Sequence, residues 1–244
     1  MYFYSFAIRV WGLNIIHADV FNQKSMELQI IYKELLELYL QQVPNDLKRA
    51  FDALKDAELS TPNFSFYTSV ASVFSSKIEG ESIELDSYIK HKRDGIPFQP
   101  DYTKKIDDLH SAYLLAQQNT LNENNVKEAH KLSTKHIVDT AWQGRYRVKN
   151  MYVTTDDGSV EYVVFVKIHP WNDGNGRSAR LIEKWFLAQK LGEKAWFIQS
   201  EKMYYRQHQT YYKNIRALGL EYGELDCGKA MPFLLMLPSA LNNE

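Results

Sequence analysis

Apolar positions recur along most of this chain at three- and four-residue steps, the spacing of one helix face. Leu28, Ile31, Leu35, Leu38 and Tyr39 form the first stripe, which stops before Pro44; Leu47, Phe51, Leu54 and Leu59 form a second. The same period predicts helices over 66–79, 82–93, 103–118 and 125–142, the last opened by Asn125 with Glu128 as an N-terminal cap. Further on it predicts Ser178–Leu191, closed by Gly192, and Ala195–Leu218, closed by Gly219. One segment departs from it. Val148–Val163 gathers β-branched and aromatic residues around Thr155-Asp156-Asp157-Gly158, which predicts a β-hairpin. With no repeat, low-complexity tract or Pro/Gly-rich linker, the expected fold class is mainly α with one hairpin.

Composition narrows the class further. At 244 residues, 45% hydrophobic and 24% charged, the chain is long enough for one well-cored domain, or one domain with a helical extension. A net charge of -1 supplies no global basic field, so no nucleic-acid partner is expected. The single cysteine, Cys227, leaves no intrachain disulfide and fits a reducing compartment. Arg9, Asn14, His17 and Asp19 interrupt the apolar run of Met1–Phe21, which therefore reads as neither export signal nor membrane span. The expectation is a cytoplasmic protein with no membrane partner.

The chemistry concentrates in His169-Pro170-Trp171-Asn172-Asp173-Gly174-Asn175-Gly176-Arg177-Ser178-Ala179-Arg180. Gly174 and Gly176 let backbone N–H groups turn inward as an anion nest, and the helix that follows adds its positive end. Arg177 and Arg180, three apart, reach phosphate oxygens from one side. Asp173 is placed to hold Mg²⁺ against those oxygens, and His169 can take a proton from an attacking hydroxyl. Rival readings are weaker. Gly174-x-Gly176-x-x-Ala179 satisfies a dinucleotide fingerprint, but five residues part it from the strand-like 162–168 and no strand–helix alternation surrounds it. A P-loop is excluded because no Gly-Lys-Ser/Thr follows. The bland reading, a capped turn beside a buried histidine, would be preferred for His169 alone but not for the whole run.

This run resembles the Fic signature, histidine-proline-phenylalanine-x-aspartate/glutamate-glycine-asparagine-glycine-arginine-x-x-arginine, with Trp171 in place of the phenylalanine. The resemblance implies a Fic-type helical domain that transfers AMP from ATP to a Ser, Thr or Tyr hydroxyl of a target protein. It assigns His169 as base, Gly174, Asn175, Gly176, Arg177 and Arg180 to the nucleotide, and Asp173 to Mg²⁺. Ser75-Ser76-Lys77-Ile78-Glu79-Gly80 resembles the family's inhibitory motif, in which Glu79 pairs with Arg180 and blocks the γ-phosphate. Gly144-Arg145-Tyr146-Arg147 and the hairpin resemble the flap that docks a target as an added strand, through Arg147, Met151, Tyr152 and Val153.

The expected organisation is a helical extension over 1–93 carrying Ser75–Gly80, and a Fic core over 100–244 with the flap at 144–163 and the signature at 169–180. Only Glu161–Ile168 joins flap to signature, where the family carries a longer helix. Other readings of the scaffold are transfer of a different phosphate-bearing group, removal of AMP, and a nucleotide-binding module disabled at that short connection. Self-modification and a homo-oligomer are both compatible with the sequence. The tyrosines of 204–212 have helical spacing and are expected at a core edge. His130 and His136, six apart, form no zinc pair.

Overall fold

Close packing around one helix of small residues organises the molecule. The structure is a computed structural model that describes residues 33–98, 100–148, 153–154, 160–161, 170–219 and 226–241. Two helices, α1 (Lys33–Gln42) and α2 (Leu47–Asp52), precede α3 (Phe66–Ile78). Ser65 caps α3, its hydroxyl accepting from the Thr68 N–H at 3.2 Å. Ser69, Ala71, Ser72, Ser75 and Ser76 are all buried, so neighbouring helices approach α3 closely. Ile78, Ala71 and Val73 each enter a different apolar cluster. Burial of such a side chain is worth roughly 1.5–3 kcal/mol, so α3 cannot lift away without opening the core.

A glycine turn ends α3. Gly80 lies at φ +91, its N–H donates to Lys77 O at 3.1 Å, and the Glu81 N–H donates to Ser76 O at 3.1 Å. This is a Schellman closure, which needs the left-handed residue that glycine supplies without strain. It leaves Glu79 as the C-cap residue and turns the chain into α4 (Leu85–Asp94), itself closed by Gly95 at φ +69.

Next come α5 (Pro100–Gln118) and α6 (Glu123–Ser133). The helix expected over 125–142 is shorter and starts earlier. Asn122, not Asn125, is its cap, its side chain accepting from the Asn125 N–H at 2.9 Å. It stops because the Ser133 and Thr134 hydroxyls both donate back to the His130 carbonyl, at 3.1 and 2.7 Å. Asp108 then fixes the following turn by accepting from both the N–H and the ring of His136.

Two two-residue strands, β1 (Val153–Thr154) and β2 (Val160–Glu161), pair antiparallel with Val153 opposite Glu161. The expected turn at 155–158 lies outside the described residues, as do the connection at 162–168 and the segment Met1–Phe21. The long α7 (Asn175–Leu191) follows, then a 3-10 turn (Glu193–Phe197), α8 (Ser200–Arg206) and α9 (His208–Arg216). The single helix expected over 195–218 is thus broken at Ile198 and Gln207, while its apolar rhythm continues into one cluster through Met203, Tyr204, Tyr211 and Ile215. A second 3-10 turn (Cys227–Ala230), α10 (Met231–Leu234) and α11 (Met236–Ser239) complete the described chain.

Buried charge joins α5, α7 and α8. Lys184 pairs with Glu201 at 2.5 Å, and the Tyr113 hydroxyl donates to the other Glu201 oxygen at 2.7 Å. Among the described residues no helix is long and apolar enough to cross a membrane.

Candidate active site

The loop before α7 is closed by its own side chains. Asn175 accepts from the Trp171 N–H at 3.1 Å and donates to the Trp171 carbonyl at 3.0 Å. Its amide, expected at a phosphate, is thus committed to holding the loop. Gly174 caps α7 at φ +75, and a Cβ there would meet Thr134 Cγ2. Trp171 is fully buried, stacked between His130 at 4.1 Å and Tyr146 at 4.6 Å, ring centre to ring centre. The Arg147 N–H donates to Pro170 O at 2.9 Å, which ties the start of the expected flap to the loop.

His130 locks this arrangement from α6. Its Nδ1 accepts from the Gly144 N–H at 2.9 Å, so Nε2 carries the proton and donates to Asp173 O at 3.0 Å. Burial lowers the pKa of the ring, although Asp173 works the other way, and the neutral form is the one these two bonds require.

The head of α7 concentrates positive charge. Its first backbone N–H groups have no acceptor inside the helix, and Arg177 and Arg180 lie along its first two turns. Arg180 is buried and heavily engaged. Nε donates to Ser75 Oγ at 2.8 Å and Nη2 to Ser75 O at 3.0 Å and to Glu79 Oε1 at 2.6 Å, with Tyr211 close by. Burial alone would raise the Glu79 pKa, but Arg180, aided by Arg177, outweighs it and holds the carboxyl below its ordinary range. The side chain of Glu79 keeps 28% of its surface exposed, against 3% for Arg180. A carboxylate therefore already occupies the helix head, open to solvent on one side.

The structure brings Ser75, Glu79, Gly80, Gly174, Asn175, Gly176, Arg177 and Arg180 into one place. Asp173 stands at the exposed rim, one oxygen accepting from the Gly174 N–H at 2.6 Å. His169, Met151 and Tyr152 lie outside the described residues, and Val153 falls in β1. Sequence reasoning passed over four residues. Glu81 pairs with Lys105 at 2.9 Å and with Arg177 at 3.5 Å, Tyr211 lies near Arg180, and His130 was weighed only as a zinc ligand. Only Glu81, two positions beyond Glu79 across a glycine, carried a readable signal.

The donor set fits a magnesium–nucleotide complex. Among the described residues no three His, Cys, Asp or Glu side chains converge; Asp173 is the exposed carboxylate in the loop before α7, while those of Glu79 and Glu81 are engaged by Arg180 and Arg177. Mg²⁺ ordinarily takes one or two carboxylates and fills its shell with water and phosphate oxygens. The Glu79 carboxylate lies between Gly176 and Arg180.

Residues 162–187, which span the loop and most of α7, match the family model described as Fic/DOC family. Solved structures agree. The described helices superpose on a Fic family protein from Desulfovibrio desulfuricans with a TM-score of 0.64, at 17% identity, covering 91% of this chain and 76% of that one. This is a Fic-fold protein. A Fic-domain-containing signaling protein from Bacteroides thetaiotaomicron gives a TM-score of 0.56 at 16% identity, covering 86% of this chain and 91% of the other. Fic-1 of C. elegans, residues 134–508, gives 0.58 at 15% identity, with coverage of 84% and 69%. A comparison with curated proteins returns no match. The Fic fold explains why one short contiguous segment carries the family match, since that segment supplies the helix head on which the site is built.

Proposed function

We propose that this Fic-fold protein transfers AMP from ATP to a hydroxyl of a target protein and that Glu79 restrains it. The observation that carries the reading is the Glu79 carboxylate seated at the head of α7 and bonded to Arg180 at 2.6 Å. An acidic side chain held where a phosphate chain would lie is what a self-restrained nucleotide site requires.

In this reading the α7 amides and Arg177 and Arg180 bind the polyphosphate, and Asp173 would hold Mg²⁺, which supplies charge neutralisation when bound. His169 takes the proton of the target hydroxyl. The hydroxyl oxygen bonds to the α-phosphorus, the bond from that phosphorus to the bridging oxygen of the β-phosphate breaks, and pyrophosphate leaves. The protein contributes positioning and charge stabilisation. The main chain around Arg147 and β1 offers an edge on which a target segment can lie.

Release of the restraint is a side-chain event. The core needs α3, whereas Glu79 is partly open to water and can swing out without unfolding its helix. The reading is tested by incubating the Glu79→Gly protein with each of several nucleoside triphosphates and a cell lysate. Mass spectrometry should find AMP on a target hydroxyl. A different adduct on the same residues would replace AMP transfer with another transfer, and no adduct would remove the activity.

A further inference from the structure

The two signature arginines meet two carboxylates, and one turn supplies both. The glycine closure of α3 sets Glu79 and Glu81 on either side of Gly80, Glu79 on Arg180 and Glu81 on Arg177. The two pairs are unequal. Arg180 has Ser75 and Glu79 for partners, with three bonds. Arg177 has one long contact, Nη2 to Glu81 Oε1 at 3.5 Å, and its buried Nε has no hydrogen-bond partner among the described residues. A guanidinium with only 6% of its side chain exposed and so few bonds is poised for an anion.

Glu81 is not free to satisfy it. The same Oε1 accepts from Lys105 of α5 at 2.9 Å, and Glu81 is itself buried. A carboxylate oxygen shared by two cations holds each more weakly than it would hold one alone. The geometry points to Lys105 and Glu81 as positioning residues for phosphate recognition, Lys105 retaining Glu81 so that Arg177 is free to take a phosphate. This rests on the reading of Arg177 as a phosphate ligand.

If Lys105 loses its charge, Glu81 turns wholly to Arg177 and competes with the incoming phosphate. If Glu81 loses its charge, Arg177 is released and Lys105 no longer matters. The two changes therefore have opposite signs and do not add, a pattern that mere damage to the fold does not produce.

The test is calorimetric binding of ADP with Mg²⁺, and of AMP, to the full chain. The variants are Lys105→Gln, Lys105→Arg, Glu81→Gln, the Lys105→Gln/Glu81→Gln double and Arg177→Ala. Lys105→Gln should weaken ADP by about fivefold and Glu81→Gln should tighten it by a similar factor, the size of a partly exposed charge pair. The double variant should match Glu81→Gln, Lys105→Arg should restore wild-type affinity, and AMP should move by less than about twofold throughout. If Glu81→Gln fails to fold, the loss in Lys105→Gln and its rescue by Lys105→Arg carry the test. ADP binding that Arg177→Ala abolishes, but that ignores Lys105 and Glu81, would overturn this inference and leave the phosphate site standing. No ADP binding by the wild type would overturn both.

Discussion

The carboxylate of Glu79 lies over Gly176, so close that a Cβ at position 176 would run into Oε1. The Ser75–Gly80 turn and the signature helix are thus fitted to one another across 97 positions of sequence, and only glycine leaves room for the acidic group. Glu79→Gln keeps the shape and removes the charge. A charge-assisted bond is worth about 1.5–3 kcal/mol, and partial exposure of Glu79 places its effect near the lower end. ATP binding measured by calorimetry should therefore tighten by roughly tenfold. Unchanged affinity would mean that Glu79 does not compete with the nucleotide.

Asn175 is expected to matter for loop shape. Asn175→Ala removes both of its bonds to the Trp171 backbone and leaves buried groups unpaired, which should cost about 1–3 kcal/mol in chemical denaturation. Asn175→Asp keeps an acceptor for the Trp171 N–H and loses the donor to the carbonyl, so its cost should fall between wild type and Ala.

Gly174 is held to glycine by backbone and by contact. Gly174→Ala places a side chain at φ +75 and against Thr134 Cγ2, which should cost about 1–3 kcal/mol. Adding Thr134→Ser removes that methyl and keeps the hydroxyl that donates to His130 O, so the double variant should recover part of the loss in thermal melting. No recovery would assign the whole cost to the backbone.

His110 gives the molecule an acid limit. Burial, with Lys92 adding, holds its pKa down to about 4 from 6.5, although Asp107 pulls it up. The folded state thus binds this proton less readily than the unfolded chain. The stability is fully present above the ordinary imidazole value and is lost as pH falls from there toward 4. The loss at the acid end amounts to about 3 kcal/mol. Denaturation of wild type between pH 7 and 4 should show this slope, and His110→Gln should flatten it. An equal slope in both proteins would place the acid sensitivity elsewhere.

Much of the site was legible because it is local. The signature run and the Ser75–Gly80 turn can each be read within a dozen residues, and the structure sets Glu79 on Arg180. Lys105 and His130 meet partners 24 and 43 positions away, distances that only tertiary packing sets. Helix ends failed for a related reason. The apolar period runs unbroken through Ile198 and Gln207 because the core selects side-chain faces, while hydroxyls at Ser133 and Thr134 stop α6 from inside a sequence that still reads as helical.

The central claim is a transferase restrained by Glu79, and transfer of label from α-labelled ATP tests it most directly. Wild type, Glu79→Gly and Glu79→Gly/His169→Ala would be compared in cell lysate and on the protein itself. Labelling should rise with the first change and vanish with the second. Bound ATP with no labelling in any variant, or labelling that survives loss of His169, would contradict the account.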